Sequence, residues 1–259
     1  ISEIGAGGCY SLLKLKNLGY KVSAIDPSPI TLYVGEKFGI SVIPEFFPTT
    51  DHNVLSNVDA CIHYDVLEHV ESPEAFLTSI HNGLAIGGKT LFVVPDSTLH
   101  IEQTDLSMCM HQHLNYFTDI SLKNLVTSVG FSVAALHRSD STGTIYCCAE
   151  KTSMPKDQIA IDITLKYKVE KQTKLFFENA ERIYDETVSG IKKLLETNGG
   201  QKLAFYPPLR AVPYLAPLLE EFNDKIVFVD DNTKVHNRYI CDLEFPIMSR
   251  KDALNDGVT

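Results

Sequence analysis

Among its 259 residues the chain has no tryptophan and no two cysteines in CxxC spacing. The six that are present, Cys9, Cys61, Cys109, Cys147, Cys148 and Cys241, lie beside apolar residues. They read as buried, reduced thiols, and no metal site is expected from them. Positive charge is also short. Lys and Arg number 23 against 33 Asp and Glu, leaving a net charge of −10. That balance argues against nucleic acid as a partner, since phosphate binding needs clustered cations, though a small anion held by local donors stays possible. No apolar run approaches the roughly 20 residues that span a bilayer, and no signal-peptide pattern is present. A cytoplasmic protein with no membrane partner, monomeric or homodimeric, is the expectation. There is no internal repeat, no low-complexity tract and no initiator Met: the chain opens on "ISEIGAGGCY".

What is present is alternation. "ISEI", "KVSAID", "ISVIP", "VDACIHYD" and "KTLFVVPD" read as strands. Helices are predicted between them over "YSLLKLKNLG", over "SPITLYVGEKFG" with Ser28 as N-cap and Pro29 at its first position, and over "SPEAFLTSIHNGLAIGG". Such spacing implies a parallel sheet covered on both faces. After a helix over "DISLKNLVTSVG", the strands "FSVAALHR" and "TIYCCAEK" are close enough to pair antiparallel at the sheet edge. From Asp157 to Thr197 the period lengthens. Leu165, Val169, Phe176, Ala180, Ile183, Val188, Ile191 and Leu195 form a helical stripe that ends at Gly199 and Gly200, predicting one long amphipathic helix or two. A short α/β unit follows, with strands "KLAFY" and "KIVFVDD" around a helix over "LRAVPYLAPLLEEF", completed by the long helix or by residues beyond this chain. The fold class is therefore α/β: a Rossmann-like seven-stranded sheet over 1–151, a helical linker over 152–198 and a smaller α/β domain over 199–259.

Glu3, Gly5, Ala6, Gly7 and Gly8 stand where the first strand turns into the first helix. Glycines there let a ligand touch the backbone and leave the first helical N–H groups facing it. A dinucleotide and S-adenosylmethionine both use such a turn. The dinucleotide fingerprint needs a third small residue for helix–strand packing, and that place holds Tyr10. A methionine moiety asks less, needing a few N–H and C=O groups. Asp26, followed by Pro27, ends the second strand, where a carboxylate accepts from two adjacent ribose hydroxyls.

With "DVLEHVESPEAFLTSIHNGLAIGGKTLFVVPD" the set resembles the class I S-adenosylmethionine-dependent methyltransferases, which carry acid-x-G-x-G at strand one, an acid after strand two, LEH, and L-x-x-G-G before strand five. The matching residues are Glu3, Gly5 and Gly7; Asp26; Leu67, Glu68 and His69; and Leu84, Gly87 and Gly88, while the family's third glycine is Cys9. The resemblance covers residues 1–150. It implies S-adenosylmethionine as cofactor, with Glu3, Gly5, Ala6 and Gly7 at its methionine end and Asp26 and Pro27 at the ribose. Phe46, Phe47 and Pro48 would stand beside the adenine, and His63 and Tyr64 near the transferred methyl. It also implies helices ahead of strand one, so the chain is expected to be trimmed at its N-terminus.

"MHQHLNYFTDISLKNLVTSVGF" is similar to sugar C-methyltransferases, which read Tyr-x-Glu-His-x-x-Tyr-Phe-Ser at that place. "VDDNTKVHNRYICDLEFPI" is similar to their C-terminal domain through Asp230, Asp231, Asn232, Lys234, Arg238, Tyr239, Pro246 and Ile247. That family also carries an N-terminal zinc domain, which this sequence does not include. The resemblance implies a sugar-nucleotide substrate, His113 as catalytic base with His111 as an alternative, and substrate contacts from His69, Gln112, Tyr116 and Arg210. Two positions depart: Met110 stands for the Tyr and Gln112 for the Glu. Gln cannot ionise and so cannot raise the basicity of His113 as a carboxylate would. In the C-terminal unit "YPPLRA" replaces a glycine-rich turn, and Pro207 and Pro208 bring no N–H donors. C-methylation, O- or N-methylation of a small molecule, and a non-catalytic binding subunit all stay open at this point.

Overall fold

The computed structural model describes residues 1–109, 112–139, 143–153, 163–206, 208, 221–240 and 246–258. It divides into two compact units, Ile1–Lys174 and Leu175–Thr259.

The first unit carries the expected seven strands: β1 Ser2–Ile4, β2 Ser23–Ile25, β3 Ser41–Ile43, β4 Ala60–Tyr64, β5 Lys89–Pro95, β6 Phe131–Ser139 and β7 Thr144–Lys151. Their order is β3-β2-β1-β4-β5-β7-β6. The first five run parallel, and β7 pairs antiparallel with both β5 and β6. Around them lie α1 Tyr10–Asn17, α2 Pro29–Phe38, α3 Pro73–Gly83, α4 Ser97–Gln103 and α5 Asp119–Ser128. Register sets the floor of the site. Ile4 pairs with Ile25 on one side and His63 on the other, so Gly5, Asp26 and Tyr64 come next at one level.

The helix predicted through Gly88 stops at Gly83. Leu84 is already extended (φ −76°, ψ 150°), and the Gly87 N–H turns away to donate to the Lys151 carbonyl at 2.8 Å. What the sequence does set is the start: Ser72 Oγ accepts from the Ala75 N–H at 3.2 Å, with Pro73 at the first position. Phe76, Leu77 and Ile80 of α3 are buried against Phe92, Val94 and Ile145 of the sheet in one core cluster. Each such side chain contributes about 1.5–3 kcal/mol of burial. Ser28 is the N-cap residue of α2, but its side chain makes no capping bond.

The 35-residue α6, Ile163–Thr197, is one continuous helix. In the second unit, β8 Leu203–Phe205, β9 Ile226–Val229 and β10 Ile247–Met248 form a parallel sheet in the order β10-β9-β8, and α7 Arg250–Asn255 closes the chain. Val188, Ile191 and Leu195 of α6 pack with Ile226, Phe228 and Ile247, so the stripe near the end of the long helix supplies core to the small sheet. The helix predicted over 209–222 falls almost wholly outside the described residues. Cys9, Cys61, Cys109, Cys147 and Cys148 are free thiols, and Cys241 lies outside the described residues. Among the described residues no helix is long and apolar enough to cross a membrane.

Candidate functional site

A cleft of about 690 Å³ opens at the carboxyl ends of β1, β2 and β4. This is where the strand order reverses around β1, the usual ligand crevice of an open parallel sheet. The volume suits a nucleoside-sized ligand. A second cavity of about 100 Å³ beside Pro48 and His52 is too small for one.

The glycine turn is built to approach a ligand. Gly5 (φ 72°) and Gly7 (φ 48°) adopt left-handed backbone, and a Cβ on Gly5 would meet Val66 Cγ2 at 2.6 Å. A Cβ on Gly7 or Gly8 would enter open space. Cys9, at the family's third glycine, also holds a left-handed φ of 54° and is fully buried. The turn is tied to β2 through Asp26. Oδ2 accepts from the Gly7 N–H at 2.7 Å and Oδ1 from the Ser28 N–H at 2.7 Å. Each oxygen keeps a lone pair for a further donor. Thr31 Oγ1 donates to the Gly7 carbonyl at 2.7 Å and completes the brace.

Of the residues expected at the cofactor, Gly5, Asp26, Pro27 and Phe47 line the cleft, as does Phe46. Phe46 is exposed, whereas Phe47 meets Phe76 edge-on at 5.3 Å and is part of the core's boundary. Glu3, Ala6, Gly7, His63 and Tyr64 fall outside the lining. Glu3 is buried beneath the turn with Oε2 unpartnered among the described residues. Burial first, and the nearby Asp26 carboxylate second, push its carboxyl up to about 7. An orphaned buried carboxylate beside an open glycine turn fits the ammonium of an amino-acid tail. His63 is placed otherwise. Its ring is fully buried, stacked on Phe92 at 4.6 Å and edge-on to Phe76, with neither nitrogen partnered among the described residues. Burial pulls its pKa down to about 3, so it is a neutral core residue. Tyr64 is partly exposed at the end of β4.

The third wall comes from the segment after β4. Asp65 and His69 line the cleft, the latter from the 3₁₀ turn Leu67–His69. Against that turn lies the segment that holds His113. The Leu114 and Asn115 N–H groups both donate to the Glu68 carbonyl, at 2.8 and 3.1 Å. Asn115 Nδ2 donates to the Val70 carbonyl at 2.7 Å, and His69 Nδ1 bonds the Gln112 carbonyl at 2.7 Å. These four bonds bring the His113 ring 5.0 Å from His69, with Tyr116 6.3 Å beyond. Burial first, and then His69, lower the His113 pKa, against an opposing pull from Asp65. Gln112 is exposed and meets His69 through its backbone rather than its side chain. His111, Arg210 and Met110 lie outside the described residues.

Sequence reading alone did not assign Asp65, Glu68 or Glu45 to the site. Asp65 and Glu45 line the cleft, and Glu68 is buried beside His69 with Oε2 unpartnered among the described residues. The available signal was the spacing D-x-x-E-H directly after a strand.

A model of the methyltransferase domain family matches residues 3–136. No curated protein matches the chain. Among solved structures it is similar to a 1,6-didemethyltoxoflavin-N1-methyltransferase of Burkholderia thailandensis, at 19% identity and TM-score 0.48, covering 59% of this chain and 70% of that one. It is also similar to a SAM-dependent methyltransferase of Methanosarcina mazei, at 17% identity and TM-score 0.48, covering 58% and 91%.

Proposed function

The chain belongs to the methyltransferase domain family, and on that premise we propose that it methylates a sugar or nucleotide-linked sugar with S-adenosylmethionine. The observation that carries this reading is the cleft at the strand ends, whose lining holds Asp26, just after β2, and also His69, the neighbour of His113. Cofactor-type and acceptor-type groups thus share one crevice.

When bound, S-adenosylmethionine supplies a methyl group on a sulfonium centre. The chain's own residues do the rest. Asp26 accepts ribose hydroxyls with the lone pairs left free by Gly7 and Ser28. Glu3 meets the ammonium from below the glycine turn, and Phe46 and Phe47 flank the base. His113 takes the proton of the acceptor group on a ring nitrogen. Its neighbour Gln112 brings no carboxylate to sharpen that base, so a hydroxyl or amine acceptor fits this pair of histidines better than a carbon acid. The sugar assignment rests on the stretch after His111 and on the Asp230–Ile247 pattern of the second unit.

The test is calorimetry with S-adenosylhomocysteine, followed by transfer of labelled methyl to a panel of nucleotide sugars. Binding and a labelled sugar are expected. No heat at millimolar ligand would overturn the cofactor assignment, and binding without transfer to any sugar would make the chain a non-catalytic subunit.

A further inference from the structure

We infer that Glu68, His69 and His113 form a binding site for a divalent first-row transition-metal cation at the acceptor end of the cleft. The three side chains each offer one ligand atom, and these atoms lie within 4.8 Å of one another. The inference deepens the proposed function and rests on its placement of the acceptor.

The chemistry of His69 points this way. Its Nδ1 faces the Gln112 carbonyl at 2.7 Å, and a carbonyl oxygen only accepts. Nδ1 therefore carries the hydrogen, and in the neutral ring Nε2 presents a lone pair. A backbone carbonyl that fixes the tautomer in this way is the usual second partner of a metal-bound imidazole. Nε2 looks at Glu68 Oε1, 3.8 Å away, so two acceptors face each other beyond hydrogen-bond reach. Glu68 is 1% exposed and its Oε2 has no hydrogen-bond partner among the described residues. Its own backbone N–H and His69 favour the charged carboxylate against burial, and a cation among the three side chains would also satisfy the oxygen left without a partner.

The geometry is close to what an ion needs. Metal–ligand distances of about 2.0–2.1 Å put tetrahedral ligands about 3.4 Å apart, so side-chain shifts on the order of 1 Å close the site. The backbone is already braced for this by the bonds between the 3₁₀ turn and residues 112–115. Asp65 lies close enough to interact electrostatically with both Glu68 and His113, and adds negative charge. Two imidazoles and one carboxylate select zinc-like ions over magnesium, which prefers an all-oxygen shell. Three protein ligands leave a coordination position open. His69 is also in the cleft lining, so an acceptor oxygen can reach that position. With the ion bound, the metal would lower the pKa of that oxygen so that its proton leaves to solvent, and His113 would hold the ion instead of taking the proton itself.

The test is titration of the full chain with Co²⁺, read by its visible absorption, and competition with Zn²⁺ and Mg²⁺. One Co²⁺ per chain, displaced by Zn²⁺ but not by equimolar Mg²⁺, is expected. H113A and the exposed-site variant H69A should each weaken binding by about 10- to 100-fold or more. E68Q should do the same, and circular dichroism reports whether this buried substitution folds. No Co²⁺ band, or affinity unchanged in both histidine variants, overturns the site. S-adenosylhomocysteine calorimetry on the same samples separates the two readings. Cofactor binding without cobalt binding sinks only the metal site, and cobalt binding without cofactor binding sinks only the methyltransferase proposal.

Discussion

The Gly7 N–H and the Asp26 carboxylate meet at 2.7 Å, which ties the turn after β1 to the end of β2. Asp26 thus has two tasks. It satisfies the Gly7 and Ser28 amides from within, and it lines the cleft. Asp26→Ala should cost about 2–4 kcal/mol of stability, since two charge-assisted bonds to backbone N–H groups are lost. It should also weaken S-adenosylhomocysteine binding at least tenfold. Urea denaturation reads the first effect, and calorimetry on the still-folded variant reads the second. Unchanged affinity would remove Asp26 from the site.

Glu3 should make ligand binding depend on pH. Its carboxyl is pushed up to about 7, so the free native protein holds a proton there between pH 4.5 and 7 that the unfolded chain has lost. Stability should therefore fall as pH rises through that window, by about 3 kcal/mol in all. Glu3→Gln should flatten the slope. A cationic ligand tail favours the ionised form, so binding of S-adenosylhomocysteine should release protons below pH 7 and tighten as pH rises. Calorimetry in two buffers of different ionisation enthalpy counts those protons, and a count of zero would place Glu3 away from the ligand.

His63 acts in the opposite sense. Its pKa falls from 6.5 to about 3, so below pH 6.5 the unfolded chain takes up a proton that the native ring refuses. Stability is complete above 6.5 and is lost as pH falls toward 3, by about 4–5 kcal/mol. His63→Leu, close in volume and free of unpartnered nitrogens, should remove this acid sensitivity and raise the urea midpoint at pH 7.5. A midpoint lowered at both pH 5 and pH 7.5 would show that the imidazole has a partner in solution.

Gly5→Ala tests the turn itself. The new Cβ would sit 2.6 Å from Val66 Cγ2 at a φ of 72°. Left-handed backbone costs about 1–2 kcal/mol for an L-residue, and Val66 must move as well. Both residues line the cleft, so ligand affinity should drop with stability. Val66→Ala in the same chain should relieve the contact and restore part of the affinity.

Much of the first unit is legible in the sequence because its elements carry their own punctuation. β1 to β5 are short apolar runs bounded by glycine, proline or acid, and Ser72-Pro73 announces α3 before any packing is known. α4, over "STLHIEQ", has no apolar repeat, and its mark is Asp96, whose side chain accepts from the Thr98 N–H at 2.9 Å. β10 is two residues long and pairs only because β9 lies beside it. At the site, Gly5 and Asp26 are legible because their spacing is local to one β-α-β passage. His63 is not, since a strand-end position does not tell which face the ring takes, and here it stacks on Phe92. The grouping of Glu68 and His69 with His113 is not legible either, because it depends on bonds between segments far apart in the chain.

Those bonds change the meaning of Gln112. The imidazole of His69 is gripped by the main chain at this position, and every amino acid supplies the same carbonyl. Swapping one residue for another at 112 should leave the ring's anchor intact, because the exposed side chain there takes no part in it.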